Sequence, residues 1–197
     1  MEKKLPEAKR TTKKTNKLGR SEWIDAAFRT LTESGVGSIH VETLAKRLGV
    51  TKGSFYWHFK DRTDLLEAVL DKWHDQYVIA KVDEMGGDSH TRLINLLNVV
   101  PRKRGSKHLG GSMELAMRSW ARYDDQAENV VAEVDRIRLD FVAEHLRAIG
   151  SPEEDIEARA FLIYSYVMCQ GIFSFSKQDN TLEDIHDKVT EILLAEK

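Results

Sequence analysis

From residue 21 onward, apolar residues recur at intervals of three and four, the spacing that lines one face of an α-helix. Ile24, Ala27, Phe28 and Leu31 form the first stripe, with Ser21 placed to cap it and Gly35 to stop it. Val41, Leu44, Ala45 and Leu48 form the second, closed by Gly49. Thr51 can cap a short third helix carrying Phe55 and Phe59. Asp61, followed by Asp64, opens a fourth that bears Leu66, Val69, Leu70, Trp73 and Tyr77. Past Gly86 and Gly87 the stripes continue: Leu93, Leu96, Leu97 and Val100 before Pro101, then Met113, Ala116, Met117 and Trp120. A longer one holds Val130, Val134, Ile137, Phe141 and Leu146 before Gly150. Ser151, Pro152 and Glu154 supply a cap, a first-turn proline and a capping-box acid for another helix. Thr181 and Asp184 repeat the signal ahead of Leu182, Ile185, Val189, Ile192 and Leu193. Strand-like alternation and internal repeats are absent, so the pattern predicts an all-α protein of about nine helices.

The segment Val41 to Phe59 has the layout of a helix-turn-helix: a short amphipathic helix, a tight turn at Gly49 and Val50, and a second helix with a polar outer side. With Phe55 and Phe59 facing inward, Lys52, Ser54, Tyr56, Trp57 and His58 are left over the outer surface. Two large aromatics there predict that something covers them. Duplex DNA suits each residue type, because lysine neutralises phosphates or donates to bases, hydroxyls donate to phosphate oxygens, and flat rings pack on sugars or thymine methyls. Gly53 allows close backbone approach, and the free N–H groups at the helix start suggest a further phosphate site. The alternative is that Tyr56, Trp57 and His58 brace the motif against the next helix.

Charge sharpens the picture. Residues 1–60 carry 13 Lys and Arg against 6 Asp and Glu, whereas the remainder carries 17 against 26, so a net of −2 conceals a basic front and an acidic rear. A basic front suits a polyanion, and an acidic rear is repelled by one. Residues 1–20 read as a basic, disordered arm, 21–66 as a DNA-binding domain and 67–197 as a regulatory and dimerisation domain. The charged N-terminus and the lack of a long unbroken apolar run lead us to expect a cytoplasmic protein without membrane contact. The single Cys169 excludes an intrachain disulfide.

The run Leu44-Ala45-Lys46-Arg47-Leu48-Gly49-Val50-Thr51-Lys52-Gly53-Ser54-Phe55-Tyr56-Trp57-His58-Phe59-Lys60-Asp61-Arg62 resembles the recognition region of TetR-family regulators, and the likeness extends over about Ser21 to Leu70. The resemblance implies a three-helix DNA-binding domain, a helical ligand-binding and dimerisation domain, a homodimer on a palindromic operator, and repression relieved by a small-molecule effector. It assigns sugar or phosphate contacts to Thr51, Tyr56, Trp57, His58, Lys60 and Arg62, and places Lys52, Gly53 and Ser54 nearest the base edges. Position 40 departs from the family, which commonly has threonine there; here it is His40, a group able to respond to pH.

Between Ala160 and Phe175 apolar residues fall on every side of the predicted helix, which must be covered all round. One side is expected to pack on its own core and the other on a twin subunit, with Ile163, Tyr166, Val167 and Gly171, joined by Ile185, Val189 and Ile192, at the interface. Met113, Met117, Trp120, Phe141, His145, Tyr164 and Met168 are candidates to surround an effector, although any core uses such residues. Arg118, Tyr123 and Gln170 are polar candidates beside them, and the basic stretch Arg102 to Gly111 reads as a solvated loop. No nucleophile and base share a constraining spacing, so catalysis and cofactors are not expected. Asp71, His74 and Asp75 could hold a metal but read as surface. A metal-responsive regulator and a helical protein-binding adaptor are the alternatives.

Overall fold

A computed structural model of the chain describes residues 18–77, 86–98, 109–170 and 181–195. These form nine α-helices and two short 3-10 turns, with no strand among the described residues. The helices are α1 (Arg20–Ser34), α2 (Val41–Leu48), α3 (Lys52–Phe55), α4 (Arg62–Tyr77), α5 (Ser89–Leu97), α6 (Leu109–Ala121), α7 (Asp125–Ala148), α8 (Ile156–Gln170) and α9 (Thr181–Leu194). The 3-10 turns are Val36–Ser38 and Glu153–Asp155. The basic arm as far as residue 17, most of the expected basic loop, and Gly171 lie outside the described residues.

The ends of the helices follow local chemistry. The α1 cap is Gly19 rather than Ser21: Glu22 reaches back to accept from the Gly19 N–H at 2.9 Å, and the Ser21 hydroxyl donates to the same carboxylate. Gly49 closes α2 in the left-handed conformation, φ +68°, and releases the chain into the tight turn. At α4 the expected acid pair is in place, with Asp61 accepting from the Asp64 N–H at 3.0 Å and Asp64 from the Lys60 N–H at 2.8 Å. Two boundaries move. The helix expected from Ser151 begins with a 3-10 turn and becomes α-helical at Ile156, and Leu109–Gly111, expected in a loop, are the first residues of α6.

Packing joins the elements into two apolar clusters. The first gathers Trp23, Leu31, Ile39, Leu44, Phe55, Phe59, Leu65, Val69 and Trp73 from the N-terminal helices. It continues without a break into Met113, Met117 and Trp120 of α6 and Val131 and Val134 of α7. The second holds Leu93 and Leu97 of α5, Phe141, Val142 and Leu146 of α7, and Ile156, Ala160 and Ile163 of α8. Helix α7, with 24 residues, runs from one cluster to the other, a span of about 36 Å. The expected division at residue 66 therefore falls inside α4 and across a shared core.

Around Gly49 a Cβ would meet no atom within 4 Å, so a substitution there is penalised by backbone conformation alone. Gly49→Ala is expected to lower unfolding free energy by about 1 kcal/mol, measured as a fall in urea midpoint with an unchanged slope.

Candidate nucleic-acid interface

The motif's outer face is set by what its inner face buries. Phe55 is fully buried and Phe59 nearly so, their rings stacked at 5.3 Å, with Trp23 edge-on to Phe55 at the same separation. With those two positions inside, Tyr56 and Trp57 are turned outward, 56% and 88% exposed, beside exposed Thr51, Lys52, Gly53 and Lys60 and a half-buried Ser54. Helix α3 is a single turn, continued by a hydrogen-bonded turn in which the Phe55 carbonyl accepts from the His58 and Phe59 N–H groups at 2.9 and 3.0 Å. Too few peptide dipoles are aligned for the phosphate site expected at its start. His40 precedes α2, exposed, and its side chain makes no capping bond.

Two residues expected to touch the DNA backbone are hydrogen-bonded within the fold. Arg62 donates from Nε to the Ile39 carbonyl at 2.7 Å and from its terminal nitrogen to the Val36 carbonyl at 2.8 Å, clamping the 3-10 turn that leads into α2. His58, half-buried, hydrogen-bonds through Nε2 to the Leu18 carbonyl at 3.0 Å, tying the chain before α1 to the motif. The clamp is reinforced by Arg47, which grips Glu33 with two 2.9 Å bonds and so fixes α2 to α1. On α1, Arg20 lies 4.7 Å over the Phe59 ring.

Lys52, the first residue of α3, is ion-paired with Glu42 in the first turn of α2. The hydrogen bond between them lowers the Glu42 pKa and raises that of Lys52. Residue order offers no sign of this pair, because ten positions separate its members and the turn brings them together.

In the rear, α6 and α8 border an open cleft of about 290 Å³ lined by Glu114, Leu115, Arg118, Phe161, Tyr164, Ser165, Met168 and Cys169. Of the residues expected around an effector, it contains Tyr164, Met168 and the polar candidate Arg118. Met113, Met117 and Trp120 are packed in the first core and Phe141 in the second, while His145 sits edge-on to Phe141 at 4.3 Å and hydrogen-bonds Ser89 Oγ at 3.1 Å. Tyr123 lies in the exposed turn after α6, and the Gln170 side chain is outside the described residues.

Beneath the cleft is a charge network. Arg118 binds Asp135 through two bonds of 2.8 and 2.5 Å, Glu114 at 2.8 Å and the Tyr164 hydroxyl at 3.0 Å. Arg138 bonds Glu114 and the Tyr164 hydroxyl, each at 3.1 Å, and lies 5.7 Å from the Trp73 ring of α4. Tyr164 donates to Asp135 at 2.5 Å. Burial, aided by that bond, pushes the Tyr164 phenol up to about 12. Burial also works against the Asp135 carboxylate, but the bonds from Arg118 and Tyr164 outweigh it and hold its pKa below the usual 3.8.

The residues expected at a dimer face differ in their exposure. Ile163 is fully buried in the second core, Tyr166 is engaged with His186 at 2.8 Å, and Val167 is half-buried. Of the expected residues, Ile185 and Ile192 of α9 are exposed and Val189 is half-buried; Phe161 and Leu162 of α8, not among them, are also exposed, at 61% and 54%. His74 lies 3.4 Å from Asp75 and 4.0 Å from Glu133, and among the described residues no three His, Cys, Asp or Glu side chains converge as metal ligands.

An all-helical body carrying a helix-turn-helix with a bare aromatic and basic face defines a protein of the helix-turn-helix class. Residues 24–69 match the family model for bacterial regulatory proteins, tetR family. The transcriptional regulator AcrR of Shigella flexneri is 40% identical over 62 residues, 32% of this chain and 29% of that protein, so the chain matches under a third of that relative's length. A transcriptional regulator from Rhodococcus sp. Rha1 has the same fold, with a TM-score of 0.69 at 20% identity over 89% of this chain and 94% of that one. AibR, solved with isovaleryl coenzyme A and operator DNA, is similar in fold at a TM-score of 0.63 and 16% identity, covering 88% of this chain and 96% of its own.

If Arg62 is a clamp, Arg62→Met costs about 1–3 kcal/mol of stability by stripping two carbonyls of a charged donor. The salt dependence of DNA binding by the folded variant should match the parent, whereas a lost phosphate contact lowers that slope by about one. For Asp135 the depressed pKa sets the sign: its contribution to stability is present above 3.8 and lost as pH falls through its lower folded value. Urea unfolding of parent and Asp135→Asn should therefore show a gap that is widest near neutrality and closes below pH 3.8.

Proposed function

We propose that the chain is a homodimeric, sequence-specific transcriptional regulator, a repressor released from a palindromic operator when a small-molecule effector binds its rear domain. The observation that carries this reading is the outward presentation of Tyr56 and Trp57, 56% and 88% exposed, on a basic helix-turn-helix whose inner face is anchored by Phe55 and Phe59. An adaptor leaves those two rings without a use, whereas a DNA groove covers them. In this reading Thr51, Tyr56, Trp57 and Lys60 contact sugars and phosphates, Lys52, Gly53 and Ser54 approach the base edges, and His40 lies beside them at the start of α2.

The partner subunit is proposed to cover Phe161, Leu162, Ile185 and Ile192, whose exposure on α8 and α9 suits a two-fold helix-to-helix contact. The operator-bound form of AibR supports the DNA partner, and its isovaleryl coenzyme A supports a small effector. Because the first core includes α1, α4, α6 and α7, a ligand that shifts α6 against α7 has a packed route to the spacing of the two motifs. A DNA partner also places the protein in the cytoplasm. No helix among the described residues is long and apolar enough to cross a membrane.

The test uses the full chain and fragments of the source genome selected by retention on it. The selected fragment should shift in gels with affinity that falls steeply with salt, and sedimentation should give twice 22.6 kDa. The double variant Lys52→Ala, Tyr56→Ala should lose the shift with its helical circular dichroism intact. Undiminished binding by that variant, or a single-copy mass at micromolar concentration, would defeat the proposal.

A further inference from the structure

The ion pair on the motif's outer face has more to do than hold two helices together. Glu42 and Lys52 are 63% and 51% exposed in their side chains, and an exposed pair adds little to stability. The packing of α3 against α2 already rests on buried Leu44 and Phe55 and on the turn at Gly49. A carboxylate on a surface that must approach phosphates also weakens non-specific grip.

We propose that Glu42 and Lys52 together read one C·G base pair in the major groove. This rests on the DNA-binding reading above and adds to it a base identity and a specificity residue, Glu42. Its warrant is geometric. The pair presents a donor and an acceptor one hydrogen bond apart. A C·G pair presents an acceptor, guanine O6, and a donor, the cytosine N4 amino group, which are also one hydrogen bond apart. Lysine donates to O6, with guanine N7 beside it as a second acceptor, while glutamate accepts from N4.

Other pairs fit worse. An A·T pair also sets a donor before the carboxylate and an acceptor before the lysine, but the thymine methyl lies beside O4 on the lysine side and adenine N7 faces the carboxylate. Reversal to G·C sets the carboxylate against O6. Docking exchanges one charge-assisted bond for two without altering the net charge of the pair. Tyr56, one turn beyond Lys52, is close enough to influence its titration, and so belongs to the same face.

The experiment is selection of a random duplex library on the full chain, comparing parent, Glu42→Ala, Glu42→Gln and Lys52→Ala. The parent should enrich a motif with an invariant C·G pair in each half-site. Glu42→Ala should relax that position alone, with on the order of tenfold loss of discrimination, while affinity for random duplex rises. Glu42→Gln should shift the position towards adenine, whose N6 and N7 an amide pairs with. Lys52→Ala should relax the same position and weaken binding overall. A Glu42→Ala motif unchanged at every position, or a relaxed position other than C·G, overturns the inference and leaves the regulator reading standing. A parent that enriches no sequence overturns both.

Discussion

The stacked rings of Phe55 and Phe59 decide which way the motif faces. Helix α3 is one turn long, too short to be stable by its own hydrogen bonds. Its conformation is therefore imposed by the burial of these rings against Trp23, Leu44 and their neighbours. Fixing two positions four apart on so short a segment fixes every residue between and beside them, and Tyr56 and Trp57 have nowhere to go but outward. The Arg62 and Arg47 clamps then hold α2 and the preceding turn to the same frame.

Charge is organised on the same plan. In the front, Arg62 is bonded to carbonyls and Arg47 to a carboxylate, while Lys46, Lys52 and Lys60 remain at the surface, Lys52 restrained by Glu42. In the rear, two arginines, two acids and a tyrosine interlock between α6, α7 and α8, each charge matched by another. Burying such groups singly is costly, and removing any one leaves its partners stranded. The network is thus a specific registration of three helices, and Arg138 extends it to Trp73 on α4.

What could be read from residue order was whatever depends on near neighbours. The 3.6-residue stripes located nine helices, glycine at 35 and 49 marked two ends, and the Asp61 and Asp64 pair marked a start. The inward phenylalanines and outward aromatics of α3 and the turn that continues it were legible for the same reason. What could not be read depends on distant contacts. Arg62 is 23 to 26 residues from the carbonyls it binds, and His58 is 40 from its own. Helix α8 is apolar on all sides, so nothing in its pattern phases it, and Ile163 could not be told from Phe161 and Leu162. Met113 and Phe141 look alike in sequence, yet the length of α7 keeps their clusters apart.

The unbroken core between α1, α4, α6 and α7 has a consequence for anyone building hybrids from this scaffold. A recognition module excised after residue 66 would carry a raw apolar wound where Met113, Met117 and Trp120 had lain. A transplanted reading head must therefore bring a matching seat, including the contact of Thr32 with Met113, or the two halves will not share one conformational change.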